Sequence, residues 1–128
     1  ELLAGLPCPI VIDHIGKFLE PVPVSHTGFV SLLSLLERGD VWVKLSAPYE
    51  VSRSGPPDYA DVSVLARALA DAAPERMVWA SNWPHPWFAS PPSEAALIAL
   101  LAAWVPDESR RRAILVDNPA RLYGFDAG

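Results

Sequence analysis

The sequence contains only one cysteine, Cys8, among its 128 residues. A single cysteine cannot form a disulfide within the chain, so a fold that depends on internal disulfides is excluded. Cys8 lies in the apolar run of residues 6–12, where we expect a buried and unreactive thiol. A chain with so little cysteine fits a reducing compartment, and we therefore expect a cytoplasmic protein.

Positive charge is also scarce. Ten lysines and arginines stand against fifteen aspartates and glutamates, which gives a formal net charge of −5. The basic residues are scattered and form no stripe that could neutralise a run of phosphates, so we expect no nucleic-acid partner. The longest apolar stretch, residues 95–105, is well short of the ~20 residues that a membrane-spanning helix needs. We expect no membrane association, although a hydrophobic content of 51% is enough for one modest core.

The sequence does contain an alternation of strand and helix patterns. Three short apolar runs, rich in β-branched and aromatic residues, predict buried strands at 9–13, 41–45 and 77–81. Apolar residues at helical spacing predict helices at 27–38 and 59–73, which we expect on one side of the strands. This order predicts an α/β fold of parallel βαβ units, without choosing between an open sheet and a closed barrel.

Several polar residues mark where helices begin. Asp58 with Asp61 resembles a capping arrangement for the helix that follows the second strand. Ser93 and Asp107 are expected to cap two further helices, and Pro119 is placed to start a last helical turn.

Polar side chains cluster where each predicted strand ends. Ligands of parallel α/β folds bind beyond the carboxyl ends of the strands, so we expect these side chains to line one pocket. They are Asp13, His14 and Lys17 after the first strand; Lys44, Ser46, Tyr49 and Glu50 after the second; and Ser81, Asn82, Trp83 and His85 after the third.

Each of these residues also has a structural interpretation. A structural, hydrogen-bonded role is the alternative for His14, and a backbone-capping role is the alternative for Asp13. For Lys44 the alternative is an ion pair at the end of a strand. The remaining alternatives are a surface position for Tyr49 and Glu50, a loop brace for His85, and core or pocket-wall positions for Trp42, Trp79, Trp83 and Trp87.

Four motifs occur in order at predicted strands and helices. They are Ile-Asp-His-Ile-Gly at 12–16, Val-Lys-Leu-Ser at 43–46, Val-Trp-Ala-Ser-Asn-Trp-Pro-His at 78–85 and Asp-Asn-Pro-Ala-Arg-Leu-Tyr-Gly-Phe at 117–125. Together they resemble the amidohydrolase-related family, and within it the 2-pyrone-4,6-dicarboxylate lactonase-like hydrolases. The resemblance implies a TIM-type (β/α)8 barrel in which residues 1–128 form the C-terminal part of one domain, with the last three β/α units.

The resemblance also implies roles for individual residues. His14 corresponds to a histidine that polarises the substrate carbonyl or, in relatives that use a metal, binds the ion. Asn82 stands where the family has an aspartate that activates water, and Glu50 where the dicarboxylate lactonases have a substrate-binding arginine. Ser46, Tyr49 and His85 are expected to complete the substrate-binding surface, while Asn118 and Arg121 of the last motif are expected to be structural.

Three departures from the family pattern matter for function. A carboxamide cannot accept a proton near pH 7, so Asn82 can orient water but cannot be the general base. A carboxylate at Glu50 repels an anionic substrate, which puts a dicarboxylate in doubt. The histidines are His14, His26 and His85, so the His-x-His pair of the family's first strand is missing.

We therefore expect a hydrolase that opens the lactone of a small carboxylated or sugar-acid substrate, with a divalent metal such as zinc or with none. The alternatives are a decarboxylase of the same superfamily and a truncated, non-catalytic barrel fragment. The chain begins at Glu1 close to a strand, so we expect that upstream strands are required and that the chain alone is inactive. Open sheet edges also favour self-association or pairing with a complementary fragment.

Overall fold

The structure, a computed structural model, describes residues 5–125. Its sheet has three strands, β1 (Ile10–Ile12), β2 (Val41–Leu45) and β3 (Met77–Trp79). The strands are all parallel and lie in the order β1-β2-β3, which confirms the predicted order and direction. β1 and β3 end earlier than predicted, because the chain turns out of the sheet into irregular backbone at the positions that carry the polar motifs.

Helices follow each strand. They are α1 (Thr27–Leu36), α2 (Ala60–Ala72), α3 (Glu94–Trp104), α4 (Glu108–Arg112) and α5 (Asn118–Tyr123), with a π-helical turn at Ala113–Asp117 and short 3-10 turns at His14–Gly16, Pro48–Glu50 and Pro74–Arg76. Within residues 5–125, none of the helices is long and apolar enough to cross a membrane.

The alternation of side chains along β2 organises the core. Val41, Val43 and Leu45 are fully buried in a cluster with apolar residues of α1, α2 and α3. Trp42 and Lys44, which alternate with them, project from the opposite face of the sheet. The two predicted helices therefore share one core on one face of the sheet, as expected.

Two of the predicted helix caps are confirmed. Ser93 Oγ accepts a hydrogen bond from the backbone N–H of Ala96 at 3.2 Å. Asp107 Oδ1 accepts one from the backbone N–H of Arg110 at 2.9 Å. Both satisfy N–H groups that the first helical turn leaves without a partner.

The predicted capping role of Asp58 and Asp61 is wrong. α2 begins after Tyr59, which has φ +45° and makes no side-chain cap. Asp61 instead accepts from the Ser52 and Ser54 hydroxyls at 2.5 and 2.8 Å, and from backbone N–H groups in the same loop. Burial raises the pKa of Asp61, but these hydrogen bonds lower it by more and hold it well below its usual range. Asp61 thus fastens the long loop after β2 onto α2.

The expected burial of Cys8 is also wrong: it is exposed, because it lies in a bend before the paired part of β1 begins. Trp83 and Trp87 are 78% and 98% exposed on the loop after β3, which excludes a core position for both and leaves the pocket-wall position a prediction. Trp42 is buried as expected, with the guanidinium groups of Arg76 and Arg121 each 5.0 Å from its ring centroid.

The C-terminal helix is fixed to the beginning of β3. The buried Asn118 side chain donates to the carbonyl oxygens of Pro74 and Met77 at 2.8 and 2.7 Å. Arg121 donates to the carbonyl oxygen of Glu75. Both residues therefore lie at the amino end of β3, away from the polar strand ends, which agrees with their predicted structural role.

We predict that Asn118→Ala lowers the free energy of unfolding by about 2 kcal/mol, because it removes two hydrogen bonds that water cannot replace in the buried site. Urea denaturation of the 128-residue chain measures the change. Ser34→Ala is the matched control, since its exposed hydroxyl only bonds to the preceding turn of α1, and its effect should stay within about 0.5 kcal/mol. Equal effects of the two substitutions would contradict the role given to Asn118.

Candidate active site

The carboxyl ends of the three strands bring all six predicted site residues to one edge of the sheet. They are His14 after β1, Ser46, Tyr49 and Glu50 after β2, and Asn82 and His85 after β3. Their side chains form one continuous series, in which every link is a hydrogen bond except a 3.9 Å contact between His14 and Glu50. Parallel strands all emerge on the same side, which is why residues distant in sequence meet here.

His14 and Ser46 form the first pair. The Nδ1 atom of His14 lies 2.8 Å from Ser46 Oγ, and Ser46 is buried. Burial lowers the pKa of His14 below its ordinary value; the nearby Glu50 charge opposes this shift, and Lys17 adds to it. The imidazole is therefore neutral at neutral pH.

Glu50 connects His14 to the other strand ends. Its Oε1 atom lies 3.9 Å from His14 Nε2 and accepts a hydrogen bond from Asn82 Nδ2 at 3.1 Å. Its Oε2 atom is paired with the ammonium group of Lys17. The repulsion of anions expected from Glu50 is therefore offset by Lys17, whose side chain is about half exposed.

Asn82 is held by two acceptors. Its Nδ2 group donates to Glu50 and, at 3.1 Å, to the Tyr49 hydroxyl. These bonds use the amide hydrogens, while no group within residues 5–125 donates to Asn82 Oδ1. The oxygen is thus the end of the side chain that can accept a hydrogen bond from water.

A series of contacts runs from Asn82 through Tyr49 and His85 to the exposed Glu94 side chain. Tyr49 Oη lies 2.6 Å from His85 Nδ1, and His85 Nε2 lies 3.2 Å from Glu94 Oε1. His85 is 7% exposed, whereas the Glu94 side chain is 56% exposed. Burial raises the pKa of the Tyr49 phenol.

Lys44 and Asp13 stand apart from this network. Lys44 Nζ and Asp13 Oδ1 form an ion pair at 2.7 Å across the ends of β2 and β1. The hydrogen bond from Lys44 lowers the pKa of Asp13 below its usual range. The structural interpretation of Lys44 is therefore confirmed.

The sequence analysis missed one member of the network, Glu94, which has the pattern of an ordinary acidic residue in the first turn of a helix. Lys17 was expected to line the pocket, but nothing in the sequence shows that it pairs with Glu50, 33 positions away. That pair is visible only in the fold, which brings the two loops together.

Left-handed backbone is concentrated in the same region. His14, Ala47, Asn82 and His85 have φ between +47° and +70°, although none of them is glycine. Such conformations cost about 1–3 kcal/mol each and persist where the surroundings impose them. The side chains of this edge are therefore held in place by strained loops.

An apolar groove lies elsewhere. It has a volume of about 410 Å³ between α3 and the turn at residues 56–59, and its walls include none of the network residues. The polar strand ends remain the candidate active site.

The described residues do not by themselves fit a metal ion. No group of three or more histidine, cysteine, aspartate or glutamate side chains within residues 5–125 surrounds a common point. His14 Nε2 faces Glu50, but that carboxylate is already paired with Lys17. Metal binding by His14 stays a prediction.

Three curated relatives resemble the chain. It is 42% identical over 127 residues to 4-sulfomuconolactone hydrolase from Rhizobium radiobacter, a match that covers 97% of this chain and 42% of the relative. It is 42% identical over 116 residues to D-galactarolactone isomerase from Agrobacterium fabrum, covering 88% and 39%. It is 31% identical over 132 residues to 2-pyrone-4,6-dicarboxylate hydrolase from Comamonas testosteroni, covering 96% and 43%. The chain thus spans less than half the length of these relatives.

Solved structures also resemble the chain, and it again spans less than half of their length. The crystal structure of an Agrobacterium tumefaciens protein in its apo form has a TM-score of 0.90 and 38% identity, and the match covers 99% of this chain and 45% of that one. An amidohydrolase from Burkholderia multivorans with bound zinc has a TM-score of 0.73 and 25% identity, over 93% of this chain and 45% of that one.

A model of the amidohydrolase family matches residues 1–125, which is nearly the whole sequence. This match and the lactone-hydrolase relatives confirm the resemblance that the four motifs predicted. The chain belongs to the amidohydrolase family.

Proposed function

We propose that this chain forms one side of the active site of an enzyme that opens lactones of small acids. The observation that carries the proposal is the single network at the carboxyl ends of β1, β2 and β3, with a partly buried neutral histidine near an asparagine whose carbonyl oxygen is available. The names of the three relatives described above refer to lactones or to a pyrone, which supports the same class of substrate here.

The proposed architecture is the C-terminal part of a (β/α)8 barrel, with residues 1–128 as one part of a single domain. It is supported by the three parallel strands in sequence order and by helices on one face. Three strands cannot close a barrel, so other strands must complete the pocket. In this proposal the chain alone is inactive and its open edges favour association.

His14 is the proposed electrophilic residue. If Ser46 Oγ donates to Nδ1 at 2.8 Å, the neutral imidazole carries its hydrogen on Nε2. Nε2–H can then donate to the lactone carbonyl oxygen and stabilise the negative charge that develops when the carbonyl carbon is attacked. Ser46 therefore acts by fixing the tautomer of His14.

Asn82 and Lys17 are proposed to position the reactants. Asn82 Oδ1 accepts a hydrogen bond from the attacking oxygen, because its amide hydrogens are already used by Tyr49 and Glu50. The half-exposed Lys17 ammonium lies next to the site and attracts the acid group of a carboxylated or sugar-acid lactone. No step is assigned to a metal.

A second reaction is favoured by Asn82. An enzyme without a strong base at this position activates water poorly, so a hydroxyl group of the substrate itself becomes the better nucleophile. Attack by that hydroxyl moves the acyl group and isomerises the lactone. One of the two relatives at 42% identity is named an isomerase, whereas none of the three is named a decarboxylase.

We predict that His14 titrates below 6.5 and that neighbouring charges move its pKa in opposite directions. Glu50→Gln removes a charge that favours the imidazolium and lowers the pKa further; Lys17→Gln removes a charge that opposes it and raises the pKa. Since the folded pKa is depressed, the stability that His14 contributes is lost as the pH falls through it. NMR titration of the imidazole protons measures all three values. Shifts of the same sign in both variants would contradict the arrangement.

We predict that the 128-residue chain alone converts no lactone. Joined behind the part of the Rhizobium radiobacter hydrolase that it does not match, the same chain should convert a carboxylated or sugar-acid lactone. In water labelled with ¹⁸O, hydrolysis incorporates the label into the product acid and isomerisation does not. Failure of the well-folded joined protein on a broad lactone panel would contradict the proposed function.

Asn82→Asp in the joined protein separates the two reactions. A carboxylate can accept a proton from water, so we predict that hydrolysis rises by about tenfold or more relative to isomerisation. The rate should also gain an acidic limb, because the new carboxylate must be ionised to act. Unchanged hydrolysis with strong native activity would contradict the role given to position 82 in setting the balance between the two reactions.

A further inference from the structure

We propose that Tyr49, His85 and Glu94 form a proton relay, in which Tyr49 takes the proton from the attacking oxygen and His85 takes the proton of Tyr49. The relay deepens the proposed function and rests on it, because it names the base for the same lactone-opening site. It is needed there because Asn82, which faces the attacking oxygen in this scheme, cannot hold the proton.

The hydrogen bonds determine the direction of the relay. Glu94 is half exposed, and a carboxylate has no hydrogen to donate, so it accepts the hydrogen bond at 3.2 Å from His85 Nε2. A neutral imidazole with its hydrogen on Nε2 offers a lone pair at Nδ1. Tyr49 Oη, 2.6 Å away, must then donate to Nδ1. This is the arrangement of a hydroxyl, an imidazole and a carboxylate that activates nucleophiles in other enzymes.

The Tyr49 oxygen is connected to the reaction centre on its other side. It accepts a hydrogen bond from Asn82 Nδ2 at 3.1 Å and retains a second lone pair. Asn82 also contacts Glu50, which lies beside His14. The relay therefore begins at the proposed nucleophile position and ends at an exposed carboxylate.

Each proton is accounted for in the proposed step. As the attacking oxygen forms its bond to the carbonyl carbon, its proton moves to Tyr49 Oη and the phenol proton moves to His85 Nδ1. The imidazolium that forms is stabilised by the Glu94 carboxylate. When the ring C–O bond breaks, the leaving oxygen takes a proton from Tyr49 Oη, and His85 returns one to the phenol. The attacking oxygen comes from water in hydrolysis or from a substrate hydroxyl in isomerisation.

Partial burial makes Tyr49 suitable for passing on a proton rather than for remaining as a charged phenolate. Burial raises its pKa, the hydrogen bond from Asn82 opposes this shift, and the carboxylates of Glu50 and Glu94 and the phenol of Tyr59 add to it. A standing phenolate is therefore disfavoured, and the proton has to pass on to His85. The edge of the Tyr49 ring packs against Phe88, with 4.7 Å between ring centroids, which holds the hydroxyl in place.

The first test needs no substrate. Nitrogen NMR of the imidazoles in the 128-residue chain, with His85 assigned through His85→Gln, reports which nitrogen carries the hydrogen. We expect hydrogen on Nε2 of His85 near neutral pH. Hydrogen on Nδ1 would overturn the relay even if the joined protein opens lactones, because Tyr49 would then have no acceptor.

The second test uses the full chain joined behind the relative's N-terminal part. Tyr49→Phe should lower kcat by about a hundredfold or more while it preserves the ring packing. Glu94→Gln keeps a hydrogen-bond acceptor for His85 but removes the charge. We expect it to lower kcat about tenfold and to move the acidic limb of the kcat profile to lower pH, because an imidazole without its carboxylate binds a proton less tightly.

Tyr123→Phe is the matched control. Tyr123 is a half-exposed tyrosine of α5, the helix at the amino end of β3 and away from the network, and its substitution should leave kcat unchanged. A purely structural role for His85 and Glu94 predicts lower thermal stability with an unchanged pH profile, and that result would overturn the proposal. A joined protein that binds no lactone contradicts the proposed function, whereas the tautomer of His85 still decides the relay.

Discussion

Parallel pairing of β1, β2 and β3 is the constraint on which the other features depend. Because the strands pair in one direction, the chain leaves the sheet three times at the same edge. The apolar side chains of β2 fill the core on one face, so the following loops need not bury apolar residues and can carry polar ones. Helix α5 secures the opposite end of β3, which leaves the carboxyl edge free for chemistry.

The electrostatics of that edge follow from partial burial. Lys17 and Lys44 each face a carboxylate, so the edge carries paired charges rather than a strong field of one sign. Within this arrangement His14 is the group that burial keeps neutral. A neutral imidazole can be a hydrogen-bond donor at one nitrogen and an acceptor at the other, which an imidazolium cannot. In the proposed relay, His85 contributes the same property between Tyr49 and Glu94.

Much of this arrangement could be predicted from the sequence, for identifiable reasons. The β-branched runs and the caps at Ser93 and Asp107 are local signals, and they gave the strand order and helix starts correctly. Burial of Cys8 was predicted wrongly because an apolar residue in an irregular segment has no periodicity to show which way it faces. Asp61 has the spacing of a cap, yet the folded loop offers it four better donors.

Most partners within the site were beyond sequence reasoning, since all pairs except His85–Glu94 join residues more than thirty positions apart. In the sequence, Asn82 and Glu50 are two separate departures from the family pattern: one replaces a base and the other replaces a cation. The structure places them 3.1 Å apart and sets Lys17 against the same carboxylate, so a carboxylate and a cation are both present at this edge, although at other positions. What the pair does not supply is an unengaged acceptor for the proton of the nucleophile, because Glu50 already binds Lys17 and Asn82. Tyr49, whose second lone pair is unused and whose own proton can pass to a buried histidine, meets that requirement.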